Sequence, residues 1–383
     1  MNLCSSISLI PLAFALILIQ LNAAARVVDF SAPPYSGVGD GQTDNRDQLG
    51  KALASLSEED ILWIPAGDYR LSLTQAQLKI PSGATLQGEG EETRFLLHTS
   101  GQENQHREFL RFGSGAAMRG VSVIRNASFP IVMFPIFGDL KDIRLIDCHI
   151  NGGKSKFPKG YCHAIQVGVG TVSGLQLKGL RVTDCNFGLF QANNATGTLK
   201  AVRVEQCVFE KNLASDLEFN SPKGKMSDVL VRNCVFRDNL SKSAGAGFAV
   251  GFANVKDATV EHCIIENYGS EALHVEDHSS GIRLSRNLIR GGSLKQNNGV
   301  IMVLSSSSKV SIDSNVIDAR PNENRPHLIL VTAGGQQFKN PSEVEVTNNI
   351  LVHGPSTRTW YLQPGSGPKP TGNIISAFKD GTE

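Results

Sequence analysis

Charge is scarce in this chain of 383 residues: 19% are Asp, Glu, Lys or Arg, and they nearly cancel to a formal net charge of +1. No run of basic residues with interleaved aromatics is present to neutralise a polyanion, which argues against a nucleic-acid partner. Trp and Tyr are few, two and five, and neither CxxC spacing nor His pairing accompanies the cysteines, which argues against a zinc site or other bound metal. Long apolar runs are missing apart from Leu9 to Leu21, which is too short for a membrane span of about 20 residues. That run leads into Asn22, Ala23, Ala24 and Ala25, a small-residue cleavage pattern, although no Lys or Arg precedes it. Residues 1–25 therefore read as a signal peptide. The mature chain is expected to be secreted or periplasmic and to have no membrane segment.

What is abundant is glycine, 38 residues, beside a hydrophobic content of 40%. The chain can bury a core and make many turns, a profile of all-β or repeat architecture. From Val121 a phrase recurs: apolar, any, apolar, two mostly polar residues, then Cys or Asn. Its copies end at Asn126, Cys148, Cys185, Cys207, Cys234, Cys263, Asn287, Asn315 and Asn349. The phrase alternates with period 2, so each copy is a strand, and the shortest spacings leave no room for a helix within the repeat. A second apolar alternation follows about ten residues later in each copy, for example AIQV at 164–167, LEF at 217–219 and LHV at 273–275.

Strand, corner, strand, turn, strand, repeated, is the coil of a parallel β-helix. Stacked turns pair each strand with those above and below at about 4.8 Å and line up inward residues as ladders. Five of the six cysteines beyond the signal segment then fall at one corner position as buried free thiols, interchangeable with Asn, and Cys162 stands apart in a loop. The apolar residues two places on, including Ile150, Phe187, Phe209 and Phe236, are expected to form one core stack.

The N-terminal stretch reads YSGVGDGQTDNRDQLGKAL at 35–53, ILWIPAGDYRLS at 61–72 and ATLQGEGEETRFLL at 84–97. It resembles the opening of the pectate-lyase-like β-helix superfamily, which includes polygalacturonase-type glycoside hydrolases. The resemblance implies an all-β, right-handed parallel β-helix, read here as about ten coils, closed by an N-terminal capping helix. Asp44 or Asn45 would cap a helix from Arg46 to Leu56 whose Leu49, Ala52, Leu53 and Leu56 cover the open end. The domain runs over 26–383, with 26–75 as cap and first coil and 353–383 as a C-terminal tail or cap.

Residues between the inward apolar positions of the second strand series face solvent. They give Gln166, then Asp216, Glu218 and Asn220, then Gly247, Ala249 and Gly251, then His274 and Glu276 with Asp277 and His278 in the turn. Two acidic walls thus flank a coil nearly bare of side chains. Asp216, Glu218, Glu276, Asp277 and His274 are the catalytic candidates. Gln166, Asn220, Lys223 and His278 are candidates for holding substrate. Where polygalacturonase-type hydrolases carry Gly-His-Gly and Arg-Ile-Lys, this chain has Gly245-Ala246-Gly247 and no Arg-x-Lys, so carry-over stops at the acidic character of Asp216.

Three functions fit this face. The leading one is a hydrolase that cleaves a polysaccharide with paired carboxylates two turns apart, a spacing compatible with an inverting mechanism. A lyase or uronate C5-epimerase would instead use Lys223, His274 or His278, with Ca²⁺ on Asp216, Glu218 and Asn220. The third is a glycan binder without catalysis. The hydrolase needs no cofactor, and the partner in each case is a polysaccharide.

Overall fold

The computed structural model of the chain describes residues 25–99, 101, 103–241, 246–367 and 370–376. The expected signal segment lies outside the described residues except for Ala25. Strands stack in parallel into three ladders that together form a β-helix. The first ladder contains twelve strands, from Val27–Asp29 through Ile61–Trp63 to Ser342–Thr347, so there are about two more turns than the sequence pattern suggests. The second follows each first-ladder strand after a tight corner and includes His149–Asn151, Val208–Glu210 and Val316–Asp318. The third has ten strands and runs to Arg358–Leu362. Arg358–Leu362 and Ile374–Ser376, within the stretch expected as tail or cap, pair as further rungs of the third and second ladders.

The helix Arg46–Ala54 buries Leu49, Ala52 and Leu53 against the first turns, and Leu56 just beyond it is buried as well. Asn45 occupies the N-cap position, but its amide is committed elsewhere: it accepts from the Val38 N–H at 2.7 Å and donates to the Val38 and Thr43 carbonyls. Asp44 reaches the helix instead, accepting from the Arg46 N–H at 3.2 Å. Among the described residues no helix is long and apolar enough to cross a membrane.

The corner between the first and second ladders carries the Cys and Asn series, with a corrected membership. Main-chain bonds connect successive rungs at Cys148, Leu180, Cys207, Cys234, Cys263, Asn287, Asn315 and Asn349. Asn373 continues the line, with its Oδ1 accepting from the Asn349 N–H and Nδ2. Four cysteines therefore share the corner, not five. Cys185 sits after the second ladder, since Arg181–Thr183 pairs with His149–Asn151. Asn126 follows Val121–Arg125, which also lies in the second ladder. Both ladders alternate apolar and polar residues, so the phrase cannot tell one from the other. Cys162 opens the strand Cys162–Val167 instead of occupying a loop.

Asn and Cys perform the same task at this corner. Asn315 Nδ2 donates to the Leu284 carbonyl at 2.9 Å, and the Cys234 thiol sits 3.5 Å from the matching Val204 carbonyl one turn back. In addition Asn315 Oδ1 accepts from the Asn287 N–H and Nδ2, both at 3.0 Å, a bond that a thiol replaces poorly. All six cysteines of the described chain are buried and free, and burial pushes the Cys148 thiol up to about 12. Beside the corner the core is continuous, with Phe209 and Phe236 stacked at 5.2 Å between centroids. Val182, and not Phe187, occupies the neighbouring place in that stack. Asn315→Ala leaves two buried donors of Asn287 and the Leu284 carbonyl unpaired and should cost about 3 kcal/mol. Asn315→Cys restores the contact to the Leu284 carbonyl but not the acceptor for Asn287, so it should cost about 1 kcal/mol less than the alanine variant, read from the midpoints of urea unfolding.

Candidate functional site

In the third ladder Leu217–Asn220, Val250–Ala253 and Leu273–Glu276 lie side by side in direct register. Leu217, Val250 and Leu273 point inward, as do Phe219, Phe252 and Val275, all nearly inaccessible to solvent. The alternation sends Glu218, Gly251 and His274 outward in one row and Asn220, Ala253 and Glu276 in the next. This produces a cleft of about 390 Å³ with a floor at Gly251 and Ala253, and with Glu218, Asn220, His274, Glu276, Asp277 and Lys223 in its walls and rim. The glycine is required by its neighbour: a Cβ on Gly251 would lie 2.7 Å from the Phe248 ring. Phe248 in turn stacks on His274 with centroids 4.4 Å apart.

The electrostatics of the two walls differ. Burial raises the Glu218 carboxyl above the ordinary range, against a 2.7 Å hydrogen bond that its Oε2 accepts from Ser215. Burial acts the same way on Glu276, but the adjacent His274 outweighs it and holds Glu276 below the usual value. His274 is 5% exposed, and burial alone would favour its neutral form. Glu276, with Glu271 and Glu218 behind it, reverses that and raises the imidazole. Nε2 of His274 lies 3.3 Å from Glu276 Oε2, the contact of an ion pair without the alignment of a hydrogen bond, and Nδ1 has no protein partner among the described residues. Asp277 is raised as well, first by burial and then by Glu276.

Three expectations need correction. Asp216 does not face the cleft: it is wholly buried, with Oδ1 accepting from Asn212 Nδ2 at 2.6 Å and Oδ2 from the Tyr268 hydroxyl. The strand begins at Leu217, so Asp216 occupies the preceding corner, where alternation has no force. Asp216 therefore points to the core, away from Glu218 and Asn220 on the outward face. Ala249 is buried and Gly247 precedes the strand, so neither forms the floor. Gln166 is a third-ladder outward residue two rungs from Glu218, and His278 is exposed in the turn, but neither lines the cleft.

The alternation also could not reveal Asn193 and Pro222 in the cleft wall, since both lie in turns. A larger cleft, about 570 Å³, opens on the second ladder. Its three carboxylates are already engaged: Glu210 with Arg181 and Arg237, Asp184 with the Ser155 amide and hydroxyl, and Asp238 with the Asn267 amide at 2.9 Å.

A family model described as a right handed beta helix region matches residues 144–289. No curated protein matches the chain. Among solved structures, a tailspike protein mutant of Escherichia coli bacteriophage HK620, in complex with a hexasaccharide, is 15% identical. The match covers 92% of this chain and 66% of that one, with a TM-score of 0.58. The pre-mature gene product 12 of bacteriophage phi29 is 12% identical over 93% of this chain and 53% of that one, TM-score 0.58. A family 28 exopolygalacturonase of Yersinia enterocolitica is 11% identical over 94% and 79%, TM-score 0.51.

Burial holds the Asp216 carboxyl up to about 7 against an ordinary value of 3.8. The folded state thus retains a proton that the unfolded chain releases, and the stability this confers is full below about pH 4 and lost as pH rises towards 7. Relative to wild type, Asp216→Asn should gain on the order of 4 kcal/mol between pH 4 and 8, measured as the difference in chemical-unfolding free energy across that range. Twelve stacked first-ladder strands in parallel register give the described chain the fold of a parallel β-helix, and the family model describes a right-handed one over residues 144–289.

Proposed function

We propose that the chain is an exported carbohydrate-active protein that hydrolyses a glycosidic bond in the third-ladder cleft. The observation that carries this reading is the opposite displacement of two carboxyls across one glycine floor, Glu218 upward and Glu276 downward. Groups pushed apart in this way divide into a proton donor and an ionised base. Glu218 and Glu276 stand two turns apart, about 9.6 Å along the axis, in adjacent outward rows, so that their side chains meet diagonally across Gly251 and Ala253. An inverting hydrolase places its carboxyls roughly 6.5 to 9.5 Å apart with a water beside the base.

In this mechanism Glu218 donates its proton to the leaving oxygen. Glu276 takes a proton from the attacking water, and His274 holds the Glu276 carboxylate ionised and oriented. Asn220 and Lys223 bind sugar hydroxyls at the rim. Named sugar-binding or sugar-cleaving proteins of the same fold support a glycan as the partner. The apolar segment at Leu9 to Leu21 supports export, and burial of all six free thiols explains how they persist in an oxidising compartment.

The purified protein should release reducing ends from at least one polysaccharide without forming an ultraviolet-absorbing C4–C5 double bond. Glu218→Gln and Glu276→Gln should each lower kcat by about 10²-fold or more. Activity should decline on the alkaline side as Glu218 loses its proton at a raised pKa, and on the acid side as Glu276 gains one at a lowered pKa. A double-bond product, or full activity in both variants, would refute the hydrolase.

A further inference from the structure

Next to the cleft, on the same outward face, runs a strip of aromatic rings. His106 and Tyr161 stack at 5.9 Å, and the Tyr161 hydroxyl lies 2.8 Å from His106 Nδ1. Tyr161 meets His163 at 4.8 Å, His163 meets Phe190 at 4.9 Å, and Phe190 stacks on Phe187 at 4.3 Å. These rings are not core. The core side of the same strands is filled by Ile165 and Leu189, both at zero exposure, whereas Tyr161 is 40% exposed. The strip also joins the cleft without a break, because Gln166, Phe190 and Glu218 occupy one row in direct register on successive turns.

The geometry points to a second binding subsite on this strip, which holds uncharged pyranose units of the same glycan and leads the chain along the axis into the Glu218 cleft. A pyranose presents a C–H face to a ring and hydroxyls at its edge, and the strip offers both complements: ring faces, with the Gln166 amide and Tyr161 hydroxyl alongside. The turn spacing of about 4.8 Å is close to the advance of one sugar in an extended chain, so successive rungs meet successive residues. Among the described residues the cations beside the strip are engaged, the buried Arg107 guanidinium donating to the His106 carbonyl at 3.1 Å, which favours an uncharged sugar over a uronate. Glu108 beside it is paired with Arg111 at 2.8 Å, and burial holds the His163 imidazole below its ordinary value. A half-exposed aromatic patch of this kind on a polar face marks an interaction surface. Its continuity with the acid-bearing row selects a glycan over a second copy of the chain.

This inference rests on the hydrolase reading for the direction of the glycan but not for the contact itself, and the test separates the two. Full-length Glu218→Gln protein, which binds without turnover, is run by affinity electrophoresis through gels that contain neutral glucans, galactan, mannan or xylan, and in parallel through polygalacturonate and alginate. At least one neutral polymer should retard it. Tyr161→Ala and Phe190→Ala in that background should weaken retardation about tenfold. Phe190→Trp should restore it, and Arg203→Ala on the first-ladder face should change nothing. Cleavage absent while these effects hold would remove the hydrolase and leave the subsite. Retardation by uronates alone, by no polymer, or equally in both alanine variants would overturn the subsite, as would self-association in sedimentation that those variants abolish.

Discussion

Everything in this molecule depends on the hydrogen-bond register between successive turns. Each strand is too short to be stable alone and obtains its partners only from the turns above and below. The corner after the first ladder fixes that register. Asn287, Asn315, Asn349 and Asn373 hand hydrogen bonds down the axis, and each donates back to the strand of the preceding turn. A slip of one residue would turn the inward set to solvent and break this line at once. In the turns of the cleft the corner residues are Cys207, Cys234 and Cys263, whose carbonyls accept from the next rung of the second ladder, and there the strand pairing itself keeps Glu218, Gly251 and His274 in one row.

The two ladders that face solvent with charge use it differently. On the second ladder Glu210 is held by two guanidiniums and its carboxyl is lowered despite burial, so that surface is neutralised within the protein. On the third ladder Glu218 has no cation bonded to it among the described residues, and the Glu276 partner is a histidine whose Nδ1 has no partner among them. Unmet hydrogen-bonding capacity in a walled cleft is what a ligand supplies, whereas a closed ion pair has nothing left to offer. The larger cleft is therefore the less reactive one.

Much of this was legible in the residues alone, for a definable reason. Period-2 alternation identifies a strand and its two faces, so Glu218, His274 and Glu276 could be read as outward neighbours of inward Leu217, Leu273 and Val275. Alternation says nothing about where a strand starts, so it cannot show that Asp216 lies in the corner before Leu217. Nor does it say which ladder a strand belongs to. The phrase ending at Cys185 reads like a first-ladder copy, although its RVT segment pairs in the second ladder.

That single error of ladder had the largest consequence. Counting two places on from Cys185 puts Phe187 in the core stack, where an aromatic needs no further explanation. Pairing shows instead that Val182 fills that stack, and Phe187 opens a third-ladder strand beside His163. An aromatic freed from the core must be accounted for by its surface, and Phe190 three residues later stands one rung from the acid. The same register that fixes the catalytic row thus determines which rings are structural and which remain free to meet a ligand.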